Sequence, residues 1–158
     1  MQSQSCAEMD SWYDIGAGSV PDQREVSRGG RVAQQTILVA DDDESLVRAL
    51  AMRLRAGGYR VLVAMDGMQA VMVAHKQDPD LILLDIRMPA GDGFSVMDKL
   101  ASSIKTQHIP VIIVTAFDDE LTKSKVDSSA AVAYFRKPFN ADELMEAVKT
   151  ALPVKTTE

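Results

Sequence analysis

The stretch LILLD at residues 81–85 is an apolar run of four residues that ends in a carboxylate. A run this short that is apolar throughout predicts a strand covered on both faces, as parallel strands are. The runs TILVA at 36–40 and PVIIV at 110–114 have the same character, and a polar residue follows each of them. The chain therefore predicts buried parallel strands that carry polar groups to one edge of a sheet.

Stretches with apolar residues at helical spacing separate these runs. The first helix is predicted to end at Gly57-Gly58, and the second to begin at Asp66-Gly67. A third helix is predicted after Gly93, and a short polar fourth helix over 118–126. Asn140, with a glutamate three residues later, indicates the start of a fifth helix.

Two further strands complete the pattern, at 59–63, where alternation of side chains is expected, and at 132–136. Five strands alternating with five helices predict an α/β domain with a doubly wound, five-stranded parallel sheet. The expected topology is flavodoxin-like, with strand order 2-1-3-4-5. Ligands are then expected beyond the carboxyl ends of the strands.

Composition indicates one globular domain rather than a disordered or fibrous chain. The 158 residues are 46% hydrophobic and 25% charged, with a net charge of −6. Residues 1–34 are polar and lack an apolar period, so a flexible N-terminal extension is expected there. The domain is assigned to residues 35–153, and residues 154–158 are assigned to a C-terminal tail.

Charge and hydropathy argue against several classes of partner. Lys and Arg are scattered, so the sequence offers no basic stripe for nucleic acid and no basic amphipathic helix for a membrane surface. No run approaches the ~20 apolar residues of a membrane span, and the N-terminus lacks a signal-peptide pattern. Cys6 is the only cysteine, which rules out an internal disulfide. We expect a cytoplasmic protein that binds neither nucleic acid nor membrane through this domain.

Polar residues at the carboxyl ends of four predicted strands are expected to converge. They are Asp41-Asp42-Asp43, Asp85, Thr115 and Lys137. Clustered carboxylates repel one another unless a cation lies between them, and Mg²⁺ prefers such oxygen ligands. A lysine and a hydroxyl added to this set complement a phosphoryl group in transfer, and a central carboxylate can act as its nucleophile.

Three of these residues also have an ordinary structural interpretation. Asp43 is expected to cap the following helix, Thr115 can be a helix cap, and Lys137 can be a solvated loop residue. The coincidence of all of them at strand ends favours a shared chemical site.

Four segments carry a family resemblance. They are ILVADDDE (37–44), LILLDIRMPAGDGF (81–94), VIIVTA (111–116) and YFRKPF (134–139). In order and spacing they resemble the receiver domain of bacterial two-component response regulators, and the likeness extends over residues 36–152. One departure is Ala130-Ala131, where a Gly-Ala pair is usual.

The resemblance implies roles for the acidic residues. Asp85 is the implied phosphoacceptor, which receives a phosphoryl group from the phosphohistidine of a histidine kinase or phosphotransfer protein. Asp42, Asp85 and the backbone carbonyl of Arg87 are the implied direct ligands of Mg²⁺, with Asp41 acting mostly through water. We expect a solvated Arg87 side chain, with a position over the site as the alternative.

The resemblance also implies a switch. Lys137 pairs with the phosphoryl oxygens, Thr115 rotates inward to donate to them, and Tyr134 follows Thr115. A cis peptide bond is implied before Pro138. The switch surface is the fourth helix, fifth strand and fifth helix, which acts on a downstream protein target or on an output domain missing from this chain. Such a domain is not an enzyme beyond its own aspartyl phosphorylation and dephosphorylation, and is a monomer or a phosphorylation-dependent dimer.

Three alternatives stay open from the sequence. Asp41 to Ser45 fit the D-x-D-x-(T/S) pattern of haloacid-dehalogenase-like phosphatases, with Asp41 as nucleophile and Asp43 as acid–base, although the further acidic pair these enzymes need is lacking. A flavodoxin-like binding module would need a Ser/Thr/Gly-rich phosphate loop where carboxylates stand. A non-phosphorylatable interaction domain on the same fold is the third.

Overall fold

The computed structural model describes residues 34–88, 92–116 and 119–152. Of the expected extension at 1–34 only residue 34 lies in these ranges, and the expected tail at 154–158 lies outside them. The strands are β1 (Thr36–Ala40), β2 (Arg60–Ala64), β3 (Leu81–Leu84), β4 (Val111–Thr115) and β5 (Ala133–Arg136). The helices are α1 (Glu44–Ala56), α2 (Gly67–Gln77), α3 (Gly93–Ala101), α4 (Glu120–Asp127) and α5 (Ala141–Ala151).

The five strands form one parallel sheet in the order β2-β1-β3-β4-β5. This confirms the predicted fold class and strand order. The order reverses between β1 and β3, which are hydrogen-bonded neighbours although β2 separates them in sequence. In doubly wound sheets a ligand site lies beyond the carboxyl ends of the strands at this reversal.

Both faces of the sheet are buried. On one face Ile37 and Val39 of β1 pack with residues of α1 and α5, and on the other Leu38 and Ala40 pack with α2 and α3. The alternation expected for the second strand is wrong, because Val61 to Ala64 are all buried. Helices cover both sides of β2 even though it is an edge strand, so apolar residues are needed at every position.

All five described helices have an aspartate or asparagine as the N-cap residue. Asp43 caps α1 by accepting from Leu46 N, and Asn140 caps α5 by accepting from the amides of residues 142 and 143. Both caps were predicted from the sequence. The fourth helix begins at Glu120, with Asp119 as its cap, later than the predicted start at 118, a position outside the described residues.

Gly93 packs closely against Ile86, which follows Asp85 in the chain. A Cβ atom at this position would lie 2.3 Å from Ile86 Cα, so only glycine fits. Its amide donates to the Ile86 carbonyl at 3.1 Å. This close approach holds the segment after Asp85 against the start of α3. Among the described residues, the helices are all too short or too polar to cross a lipid bilayer.

Candidate functional site

The two central strands bring two carboxylates side by side. Asp41 follows β1 and Asp85 follows β3, and the Asp85 amide donates to the carbonyl of Ala40 at 2.9 Å. Both side chains are nearly inaccessible, since the two residues are 3% and 5% exposed. Buried carboxylates this close to each other need positive charge or hydrogen-bond donors around them.

Lys137 supplies the positive charge from the loop after β5. Its Nζ atom lies 2.7 Å from Asp41 Oδ2 and 3.1 Å from Asp85 Oδ2. The Lys137 amide donates to the Thr115 carbonyl at 2.9 Å, which ties this loop to the end of β4. The peptide bond between Lys137 and Pro138 is cis, as the resemblance implied. One ammonium thus bridges both buried carboxylates.

The other oxygen of Asp85 accepts two further hydrogen bonds. Thr115 Oγ1 donates to Asp85 Oδ1 at 2.8 Å, and the Arg87 backbone amide donates to the same atom at 2.9 Å. Thr115 is fully buried, and the cap of the helix that follows it is Asp119, so Thr115 is not a helix cap. With Lys137 on Oδ2, three donors converge on one carboxylate.

A third carboxylate completes a group that fits a hard cation. Oxygen atoms of Asp41, Asp42 and Asp85 all lie within 4.8 Å of one another, and Asp42 is exposed to solvent. Hard divalent cations such as Mg²⁺ take oxygen ligands from one or two carboxylates and retain several waters. The donor chemistry and the open side at Asp42 therefore match the ion implied by the sequence.

The pKa values of Asp41 and Lys137 are both raised, which favours the neutral form of the acid and the charged form of the lysine. Burial raises the pKa of Asp41, and the neighbouring Asp85 charge raises it further against the opposing hydrogen bonds from Lys137 and the Asp43 amide. Burial alone would lower the pKa of Lys137, but its hydrogen bonds and charge interactions with Asp41 and Asp85 outweigh burial and raise it. Lys137 therefore stays an ammonium, while the Asp41 carboxylate is under-compensated without a cation.

The remaining predicted residues lie at the margin of this cluster. Asp43 Oδ1 accepts from Leu46 N at 3.2 Å as a helix cap, which disfavours the acid–base role that the phosphatase alternative needs. Tyr134 lies on β5 opposite Ile113 and is 45% exposed. Its predicted rotation stays a prediction.

The Arg87 side chain is exposed, as the sequence favoured, but it also makes an ion pair that the sequence did not predict. Its Nη2 atom lies 3.1 Å from Asp119 Oδ2 at the start of α4, and its side chain is half-exposed. The sequence interpretation missed Asp119 altogether. A signal was available, because an aspartate three residues before Thr122 and next to Glu120 is typical of a helix start.

Comparisons with known proteins agree on one family. The family model described as the response regulator receiver domain matches residues 37–149. Response regulator PleD of Caulobacter vibrioides is 41% identical over 114 residues, which are 72% of this chain and 25% of PleD. Sporulation initiation phosphotransferase F of Bacillus subtilis is 35% identical over 124 residues, 77% of this chain and 97% of that protein. The chain thus spans a quarter of PleD and nearly all of the sporulation protein.

Solved structures give the same result. The receiver domain of sensor histidine kinase PA1611 from Pseudomonas aeruginosa PAO1, with a magnesium ion coordinated in its active site cleft, is 31% identical with a TM-score of 0.69. That match covers 75% of this chain and 97% of the other. Chemotaxis protein CheY4 of Vibrio cholerae is 27% identical, with a TM-score of 0.69 over 76% of this chain and all of the other.

Proposed function

The chain belongs to the response regulator receiver domain family of two-component signalling, and from this premise we propose that it takes a phosphoryl group onto Asp85. The observation that carries the proposal is the convergence of Thr115, the Arg87 amide and Lys137 on one buried carboxylate. Donors that hold a carboxylate in the resting state are positioned to receive the oxygens of a group bound to it.

In the proposed reaction an Asp85 oxygen attacks the phosphorus of a partner's phosphohistidine. The new O–P bond forms as the P–N bond breaks, and its electron pair leaves with the imidazole nitrogen. A partner ring protonated at its other nitrogen departs as neutral imidazole. Lys137 Nζ and Thr115 Oγ1, both now on Asp85, transfer their hydrogen bonds to the phosphoryl oxygens.

We propose that Asp42, Asp85 and the Arg87 backbone carbonyl hold Mg²⁺, with Asp41 contributing through water. When bound, the ion supplies positive charge that offsets the clustered carboxylates and the incoming phosphoryl group. Asp41 meanwhile keeps Lys137 oriented, because its Oδ2 atom accepts from Nζ at 2.7 Å. The support is the three-carboxylate group of this chain and the magnesium ion in the similar PA1611 structure.

The proposed output is a change of the surface formed by α4, β5 and α5, which we call the switch surface. Phosphorylation adds about one unit of negative charge, since the phosphoryl group replaces the carboxylate charge of Asp85, and it places three acceptor oxygens beside Thr115. Shifting the Thr115 hydrogen bond from Asp85 to a phosphoryl oxygen alters the packing of Thr115 next to β5, where Tyr134 is half-exposed. A protein partner, or an output domain, that prefers one arrangement then reads the phosphorylation state. Cytoplasmic location and phosphorylation-dependent dimerisation stay predictions.

Mass spectrometry of the whole protein tests the phosphoacceptor. After incubation with acetyl phosphate and Mg²⁺, we expect the wild type to gain the mass of one phosphoryl group and Asp85→Asn to gain none. Asp42→Asn and chelation of Mg²⁺ are expected to suppress the gain. Asp66→Asn, at the cap of α2, is the matched control and should behave as wild type. A wild type without Mg²⁺-dependent phosphate contradicts the proposal.

Amide chemical shifts test the switch surface separately. Beryllofluoride, a mimic of the phosphoryl group, should move the amide signals of α4 and β5 in the wild type. The same addition to Asp85→Asn should move none of them. If beryllofluoride binds the wild type and leaves α4 unmoved, the proposed switch surface is wrong even though the phosphoacceptor stands.

A further inference from the structure

An ion pair joins the loop after Asp85 to the first turn of α4. Arg87 Nη2 lies 3.1 Å from Asp119 Oδ2, and the two side chains are 48% and 47% exposed. The Asp119 carboxylate also caps α4, since Oδ1 accepts from Thr122 N at 2.7 Å and Oδ2 from Thr122 Oγ1 at 2.8 Å. The site loop is therefore tethered directly to a helix of the switch surface.

Arg87 is anchored at the phosphoacceptor by its backbone. Its amide donates to Asp85 Oδ1 at 2.9 Å, and the Gly93–Ile86 contact holds the loop from the other side. The guanidinium lies at the end of a flexible stem that begins at this fixed point. The Arg87 side chain, which contacts Asp119 in this structure, can therefore also reach a phosphoryl group on Asp85.

Resting on the function proposed above, we propose that the Arg87–Asp119 pair is a latch that holds α4 in its unphosphorylated position. A phosphoryl group on Asp85 competes with Asp119 for Arg87 and opens the latch. The phosphoryl group carries more charge than a carboxylate and three acceptor oxygens, which arginine binds in a bidentate manner.

The weakness of the pair suits this role. Half-exposed ion pairs shift equilibria only a few-fold, so a stronger competitor displaces them readily. Opening the latch also leaves the helix cap in place, because the Thr122 amide donates to Asp119 Oδ1, whereas Arg87 contacts Oδ2. Helix α4 thus stays helical and loses only its tether to the site loop. Its shallow packing, with Val126 as its one buried residue, lets it move as a unit.

Beryllofluoride affinity tests the latch without any phosphoryl turnover. Isothermal titration at saturating Mg²⁺ compares the full chain with Arg87→Gln, Asp119→Asn and the double variant. Asparagine retains a capping oxygen and removes the charge. We expect Asp119→Asn to strengthen beryllofluoride binding about two- to five-fold, because the competing charge of Asp119 is removed from Arg87, and Arg87→Gln to weaken it by a similar factor.

The double variant distinguishes the latch from a long-range charge effect. If Asp119 acts through Arg87, Asp119→Asn changes nothing further in the Arg87→Gln background. If Asp119 merely repels the anion through space, its effect persists there, and the latch is wrong. Asp66→Asn removes a carboxylate from the comparable cap of α2 and should leave the affinity unchanged. Mg²⁺ affinity is measured for each variant, so that altered metal binding is recognised.

Amide shifts supply the second readout. In the absence of beryllofluoride, Asp119→Asn and Arg87→Gln should both move the Thr122 amide part of the way toward its beryllofluoride-bound position. Unchanged affinities and shifts in both variants overturn the latch and leave Asp85 phosphorylation untouched. A wild type that does not bind beryllofluoride at all overturns the latch and the proposed function together.

Discussion

Helices α1 and α4 are capped in the same way, but they differ greatly in how many apolar residues they bury. Each follows a strand that delivers a site residue, and each is capped by an aspartate, Asp43 or Asp119. The buried residues of α1 are Val47, Leu50, Ala51 and Leu54, whereas α4 buries only Val126. Local hydrogen bonding starts both helices, but apolar packing fixes only the first. We therefore propose that α1 is a platform for the acidic site and that α4 is the element that responds to phosphorylation.

A matched pair of leucine truncations should give the largest contrast. Leu54 in α1 is fully buried, and Leu121 in α4 is 69% exposed. Leu54→Ala is expected to lower the free energy of unfolding by about 2–5 kcal/mol, because it leaves a cavity in the core. Leu121→Ala is expected to change it by less than about 0.5 kcal/mol. Urea denaturation measures both, and similar losses for the two variants would break the comparison.

Magnesium should stabilise the folded protein through the carboxylate cluster, two members of which lie just before α1. At a Mg²⁺ concentration ten times its dissociation constant, we expect a gain of about 1.4 kcal/mol in the free energy of unfolding. Asp42→Asn should lose most of this gain, whereas Asp66→Asn should keep it. An equal gain in wild type and Asp42→Asn would place the ion elsewhere.

The pKa of Asp41 gives that stabilisation a pH dependence. Because burial raises the folded-state pKa above the ordinary value of 3.8, the folded protein binds the proton more tightly than the unfolded chain. The metal-free protein therefore loses stability as pH rises through the interval between the two pKa values. Mg²⁺ should accordingly stabilise the protein more at pH 7 than at pH 4. Thermal unfolding with and without the ion checks this, and a gain that is larger at pH 4 would contradict it.

Lys137 should determine how the stability of the protein falls at alkaline pH. Its pKa is raised above 10.5 because the bonds and charges of Asp41 and Asp85 outweigh burial. The stability that it contributes is therefore complete below pH 10.5 and is lost as pH rises through the folded-state value. Lys137→Met, which keeps the stem and removes the charge, should flatten the alkaline end of the stability profile. A profile unchanged by Lys137→Met would contradict the bridging role.

Removing the cap of α1 should lower global stability, whereas removing the cap of α4 should change only local hydrogen exchange. Asp43→Ala is expected to cost about 1 kcal/mol of global stability, because α1 unfolds only with the core. Asp119→Ala should scarcely change global stability and should instead speed hydrogen exchange at Thr122 and its neighbours. Equal global losses with no local change in exchange would mean that α4 is as firmly held as α1.

The smallest expected effect concerns the ion pair between α1 and α5. Arg53 Nη1 lies 3.2 Å from Asp142 Oδ1, and the side chains are 53% and 90% exposed. Arg53→Gln should cost at most about 0.5 kcal/mol, and the cost should vanish at high salt. A larger loss, measured by urea denaturation, would mean that charge as well as apolar packing anchors α1.

The sequence was sufficient for those parts of the fold that depend on short-range patterns. The runs at 36–40 and 81–84 became β1 and β3 because four or five consecutive apolar residues admit few alternatives. Asp43 and Asn140 were identified as caps because capping chemistry involves residues two or three apart. The convergence of Asp41, Asp85, Thr115 and Lys137 followed from parallel topology, since strand ends share one edge.

Contacts between segments that are distant in sequence could not be predicted from short-range patterns. Alternation was wrongly expected in β2, because coverage of both faces depends on how α1, α2 and α5 pack. Arg87 and Asp119 are 32 residues apart, and nothing local in either segment indicates their pairing. The roles of Asp42 and Tyr134 rest on the resemblance and stay predictions.

The position of the phosphate is the most direct test of the central claim. An acyl phosphate on aspartate is reduced by borohydride to homoserine, which peptide mass spectrometry locates to a single residue. After treatment of the wild type with acetyl phosphate and Mg²⁺, we predict homoserine at position 85 and at no other aspartate. Homoserine at position 41, 42 or 43, or its absence throughout the chain, would contradict Asp85 as the phosphoacceptor.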